Sequence, residues 1–142
     1  MHSDTTLIEL FSYETGNKQL SDVIDVKLAV KATVPFQTWH GNKRALTTED
    51  VISGQWVKTC TAGYITELSF NPDGRVDEFR LFDRFHTQGN WTLEHGILSV
   101  QIMKGENQYQ FDVVGNSDVN IHSAIERKNG RLHSYLKLMQ IK

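Results

Sequence analysis

Leu98-Ser99-Val100-Gln101-Ile102-Met103-Lys104-Gly105-Glu106-Asn107-Gln108-Tyr109-Gln110-Phe111-Asp112-Val113 decides the fold. Leu98, Val100 and Ile102 stand at alternate positions, and so do Tyr109, Phe111 and Val113. Successive strand side chains point to opposite faces, so each run reads as a strand with one apolar face. Lys104-Gly105-Glu106-Asn107 between them reads as a turn, because glycine reaches positive φ and asparagine bonds its own backbone. The stretch is a β-hairpin.

The same pattern extends in both directions. Turn signals stand at Asn71-Pro72-Asp73-Gly74, Gly89-Asn90, His95-Gly96, Gly115-Asn116-Ser117-Asp118 and Lys128-Asn129-Gly130. They mark out strands over residues 55–61, 63–70, 75–86, 90–94, 97–103, 108–114, 119–127 and 131–141. Connections this short make sequence neighbours antiparallel. A long meander has to hide its edges, and closing into a barrel does so. The expected fold is therefore mainly β, an antiparallel up-and-down barrel of eight strands. The apolar face is predicted from Tyr64, Leu68, Phe70, Phe79, Leu81, Phe85, Trp91, Leu93, Ile121, Ile125, Leu132, Leu136 and Leu138, together with the hairpin above. Gln101, Gln110, Asp112, Asn120, His122, Glu126, His133 and Lys137 are expected on the wet face.

Residues 1–47 read as an N-terminal extension, packed on the sheet or extending it, and residues 48–142 as the barrel of a single domain. Val26, Leu28, Val30, Ala32, Val34 and Phe36 alternate, which favours a strand over 26–38, with Pro35 at an edge or an end. Leu20, Val23, Ile24 and Leu28 also fit a helical stripe beginning near Ser21 or Asp22. Residues 6–13 are read as a further strand. Thr47-Thr48-Glu49-Asp50 is a capped start for one short helical turn.

Composition narrows the partners. Fifteen basic residues against seventeen acidic ones give a net charge of −2, with no basic stripe. Nucleic acid and anionic membrane surfaces demand concentrated positive charge, so neither is an expected partner. The start of the chain shows no secretory signal and no stretch approaches a membrane span, so a cytoplasmic location is expected. Cys60 is the single cysteine, and the six histidines form no metal-binding motif, so no metal and no cofactor are expected. An apolar N-terminal run covered by a second copy makes a homodimer one expected arrangement.

Gly54-Gln55-Trp56, following a short helical turn and opening an eight-strand meander, resembles the calycin group of lipocalins, fatty-acid-binding proteins and avidin-like barrels. Leu68-Ser69-Phe70-Asn71-Pro72-Asp73-Gly74 followed by Gly89-Asn90-Trp91 looks like bacterial lipocalin-like domains. The resemblance covers residues 48–142 and implies that Trp56 is the tryptophan at the barrel floor. The preceding residues have no counterpart in a minimal calycin.

The candidate site is the set of polar groups on the apolar face: Tyr64, Thr66, Asp83, Ser123 and Ser134, with Tyr109 and Trp91. Asp83 alternates with Leu81 and Phe85. An inward carboxylate has to be paired, bonded or protonated, which makes it a ligand-orienting group or a general acid or base. The competing reading is a bulge that turns Asp83 outward, or a structural bond to a loop. Lys58 shares parity with Cys60, whose commoner role is an inert buried thiol. Trp39-His40-Gly41 could cover the barrel mouth. Three functions follow: binding of a small apolar or amphipathic molecule in the lumen, a small isomerase, cyclase or hydrolase using a lumen carboxylate, or an interaction module with a filled core.

Overall fold

The computed structural model describes residues 2–16, 33–61 and 63–141. In chain order the elements are α1 (His2–Thr15), α2 (Val34–Gly41), β1 (Lys43–Arg44), α3 (Thr48–Ile52), β2 (Gln55–Cys60), β3 (Ile65–Phe70), β4 (Arg75–Arg80), β5 (His86–Glu94), β6 (Ile97–Lys104), β7 (Asn107–Asn116), β8 (Ile121–Lys128) and β9 (Arg131–Ile141). Strands β2 to β9 pair antiparallel in sequence order, and β9 returns to pair with β2 from Gln55↔Ile141 to Cys60↔Leu136. That last pairing closes an eight-stranded barrel. β1 adds a short ladder to the end of β7, with Lys43 opposite Asn116.

Turn chemistry sets the hairpins. His95-Gly96 and Asn129-Gly130 each place two consecutive residues at positive φ, which is the twist a two-residue hairpin requires. At the closed end Thr47 and Asp50 form a reciprocal capping box on α3. The wholly buried Trp56 donates its indole N–H to the Val51 carbonyl of that helix at 3.1 Å. Trp56, Phe70, Leu98, Val100, Phe111 and Leu138 fill the interior behind it.

A second apolar cluster lies outside the barrel wall. Ile8 and Leu10 of α1 pack with Phe36 and Trp39 of α2 against Val114 and Ile125. Polar contacts fix the helix at intervals: Thr6 donates to Asp112 at 2.8 Å, Glu9 pairs with Arg127, and Glu14 accepts from Trp39, Lys43 and Tyr135. Burial alone would raise the Glu14 carboxyl, but these donors outweigh it and hold it below its ordinary value.

Several expectations are corrected here. Residues 6–13 are helical, because Leu7, Leu10 and Phe11 follow helical spacing. The strand expected over 26–38 meets α2 instead from Val34: Thr33 caps it and Pro35 sits in its first turn, where proline is tolerated. The rest of that expectation, and the helical stripe from Leu20 to Leu28, lie outside the described residues. Trp39 packs on the outer wall and not over the mouth. The strand expected over 75–86 stops at Arg80. Gly89-Asn90 is no turn but lies within β5, where a Cβ on Gly89 would fall 1.8 Å from the Gln101 carbonyl oxygen. Phe79 faces outward and stacks on His86, while Val76 and Glu78 face in. In β8 the phase is also inverted: Ala124 joins the inner core and Ile125 the outer cluster. Leu132 likewise lies against the outer cluster, because β8 and β9 slip register between Glu126 and Arg127.

His122, expected on the wet face, is 0% exposed beside Trp56. Its Nδ1 accepts from the Asn116 amide at 2.9 Å, which leaves the ring proton on Nε2. Burial first, then the Arg44 and Lys43 cations against the opposing Asp50 carboxylate, lowers its pKa from 6.5 to about 4. The folded state therefore refuses a proton that the unfolded chain accepts. Stability should be full above pH 6.5 and fall as pH drops toward about 4, by on the order of 1–3 kcal/mol. Urea titrations across that window should show the loss in the natural chain and not in His122→Asn. A flat profile in the natural chain would contradict the buried neutral ring. Leu10, also 0% exposed, tests the outer cluster: Leu10→Ala should cost about 2–4 kcal/mol in urea unfolding, and a negligible cost would mean that α1 is not part of the cooperative fold.

Candidate functional site

The interior changes character toward the end that holds the β2–β3, β4–β5, β6–β7 and β8–β9 hairpins. Two residues along each strand, on the same face, an apolar side chain gives way to a polar one. Trp56 is followed by Lys58, Val76 by Glu78, Ile102 by Lys104 and Ala124 by Glu126; in the reverse direction Leu68 is preceded by Thr66, Phe111 by Tyr109 and Leu136 by Ser134. The pleat aims each inward with its apolar partner.

The result is a polar layer in which the buried Lys58, Glu78 and Glu126 are paired. Lys58 Nζ lies 2.6 Å from Glu78 Oε2 and 3.7 Å from Glu126 Oε2, with side-chain exposures of 10% for the lysine and 2% for Glu78. Thr66 and Thr87 donate to the two Glu78 oxygens at 2.8 and 3.2 Å. Burial alone would raise the Glu78 carboxyl, but the Lys58 ammonium, these hydroxyls and Lys104 outweigh it and hold it below its ordinary value. Glu126 meets His133 Nδ1 at 3.0 Å and Ser134 Oγ at 3.5 Å. Above this layer opens a cavity of about 320 Å³, lined by Tyr64, Tyr109, His133, Arg80, Lys104 and Lys128 among others.

Of the residues singled out in the sequence, Tyr64, Thr66 and Tyr109 line this cavity, and Ser134 lies just beneath it. Trp91 packs on Phe70 and donates to the Asn71 carbonyl near the β3–β4 turn, at the opposite end. Ser123 faces outward, with its Oγ 3.2 Å from the Tyr135 hydroxyl in the α1 interface. Asp83 is exposed in the loop between β4 and β5, so the expected inward carboxylate is corrected. It accepts the Phe85 amide at 3.0 Å, which turns the chain away from strand geometry, and grips Arg80 at 3.1 and 2.6 Å. Those two donors hold its carboxyl below its ordinary value. Lys58, Glu78, Lys104, Glu126, Lys128 and His133 were not among the candidates, since charged residues on a strand read as a wet face.

Ser134 and Glu126 both approach the same ring atom of His133, Nδ1, so the imidazole cannot relay a proton between them as a catalytic triad does. Among the described residues no three histidine, cysteine or acidic side chains converge to hold a metal ion, and no helix is long and apolar enough to cross a membrane. A larger recess of about 540 Å³ lies on the outer wall around Gln101, Gln108 and Gln110, but it contains no aromatic side chain.

No protein-family model matches the chain significantly, and neither does any curated protein or solved structure with which it was compared.

The polar layer is testable through its central pair. Removing one member of a buried ion pair strands the other and costs about 3–5 kcal/mol. Lys58→Met alone should unfold at markedly lower urea. The double variant Lys58→Met with Glu78→Leu should recover most of the loss, because an apolar pair of similar volume needs no partner. Strictly additive losses would contradict a direct, desolvated pairing.

Proposed function

We propose that the chain binds a small amphipathic molecule at the open end of its barrel. The observation that carries this reading is the cavity of about 320 Å³ above a polar layer centred on the Lys58–Glu78 pair. That volume sits at the lower end of the roughly 300–1,000 Å³ usual for ligand sites. Elsewhere the interior is filled by its own side chains, as a barrel of eight strands allows. The ligand therefore rests in the mouth and does not thread the lumen.

The design suits a molecule with a ring and a polar end. Tyr64 is 64% exposed, and Tyr109 meets His133 edge-on with ring centres 5.8 Å apart, so the wall offers aromatic surface. The paired charges below give fixed hydrogen-bonding groups without a bare buried ion. The closed barrel with a short helix and a buried tryptophan at its floor resembles the calycin arrangement, and that likeness also favours a binding role. Asp83, the carboxylate expected to serve an enzyme, lies outside the cavity. A free thiol at Cys60 suits a reducing, cytoplasmic setting.

Cys60 lines the cavity and is the single cysteine, so it can be blocked selectively. 1-Anilinonaphthalene-8-sulfonate should bind saturably at one site with micromolar affinity. Alkylation of Cys60 by N-ethylmaleimide should abolish the binding, and Cys60→Ser should bind and ignore the reagent. Absent binding, or binding indifferent to alkylation, would contradict a site at the mouth.

A further inference from the structure

We infer that the mouth selects organic acids: a ligand with an aromatic or alkyl body and one carboxylate or sulfonate group, held by Lys104 and Lys128 beside Tyr109. This rests on the binding role proposed above and adds the charge of the ligand.

The cavity wall carries four cationic side chains, Lys58, Arg80, Lys104 and Lys128, against the single carboxylate of Glu126, with Glu78 beneath. The excess is local, because the whole chain has a net charge of −2. Two of the four cations are answered closely: Lys58 by Glu78 at 2.6 Å and Arg80 by both oxygens of Asp83. The other two are not. Lys104 reaches Glu78 only at 3.8 Å, and Lys128 makes no ion pair among the described residues. Glu78 is shared, since Lys58 and Thr66 meet its Oε2 and Thr87 its Oε1.

Both ammonium groups are held against one ring. Lys104 Nζ lies 5.2 Å and Lys128 Nζ 5.8 Å from the centre of Tyr109. The ring attracts each cation, and the two, brought from the strands on either side of Tyr109, add to one positive field in the recess. An anion beside Tyr109 is drawn by that field and gains a charge-assisted hydrogen bond from an ammonium group at the ring. A neutral ligand gains nothing there, and a cation is excluded. Tyr64 and the face of Tyr109 remain for the apolar body of the ligand.

The test compares two dyes that share their rings and differ by the sulfonate: 1-anilinonaphthalene-8-sulfonate and the uncharged N-phenyl-1-naphthylamine. The sulfonate should bind about tenfold tighter or more, equivalent to one extra ionic contact. Added salt should weaken it selectively. Lys104→Met with Lys128→Met should erase the difference while the neutral dye binds as before, which also reports that the fold is intact. Equal affinity for both dyes, each still blocked by alkylation of Cys60, would overturn anion selection and leave the mouth as a binding site. If neither dye responds to that alkylation, the site itself is refuted. Should the double variant lose the neutral dye, the single variants Lys104→Met and Lys128→Met decide: each must lower sulfonate affinity alone, and sulfonate affinity unchanged in both overturns the inference.

Discussion

The pairing of β9 with β2 is the constraint on which the rest depends. It turns an eight-stranded meander into a closed wall, removes both edges and fixes the interior at a width that side chains can fill. Trp56, Phe70 and Phe111 take up that volume toward the floor, where Trp56 is tied to α3. Charge that enters the wall by strand alternation has to collect near the mouth, where Lys58, Glu78 and Glu126 can meet one another and still border water. The candidate site is thus a consequence of closure: where the core stops being apolar, a paired polar layer begins.

The outer helices shape the wall from the other side. α1 and α2 cover the outer face of β7 and β8, so both faces of those strands are buried. Asp112, on the covered face of β7, accepts from Thr6, Ser99 and Gln110, which keeps a carboxylate tolerable under a helix. At the far end of α1, Glu14 gathers Trp39, Lys43 and Tyr135 and locks α2 to the wall. α1 and α2 are therefore part of the barrel's packing.

What could be read from the sequence divides along the same physical lines. The hairpin from Leu98 to Val113 was legible because its turn and both its alternating flanks agree. The short capped helix before Trp56 was legible for a similar reason: Thr47 and Asp50 carry the cap in four residues. β8 misled because alternation marks a core only when one face is wet; with α1 on the outside, Ile125 turns outward and His122, Ala124 and Glu126 turn in. The run from Leu81 to Phe85 misled because the bond from Asp83 to the Phe85 amide makes a local turn that no apolar periodicity reveals. Within the site, Tyr64, Thr66 and Tyr109 could be picked as polar exceptions on apolar faces. The charged members were hidden by the ordinary rule that charges face water, yet a signal existed. Trp56–Lys58, Val76–Glu78, Ile102–Lys104 and Ala124–Glu126 are four two-residue steps from small or apolar to charged, all toward one end of the barrel.

The central claim is that the binding surface is the charged mouth, with a filled barrel behind it, and not the recesses on the outer wall. A map of amide chemical-shift changes under titration with benzoate tests this directly, because it reports every strand at once. The account predicts saturable shifts at Lys58, Thr66, Lys104, Tyr109 and Lys128, with the floor around Trp56 and Leu138 unmoved. Shifts confined to Gln101, Gln108 and Gln110 on the outer wall, or spread through the core residues near the floor, would contradict it.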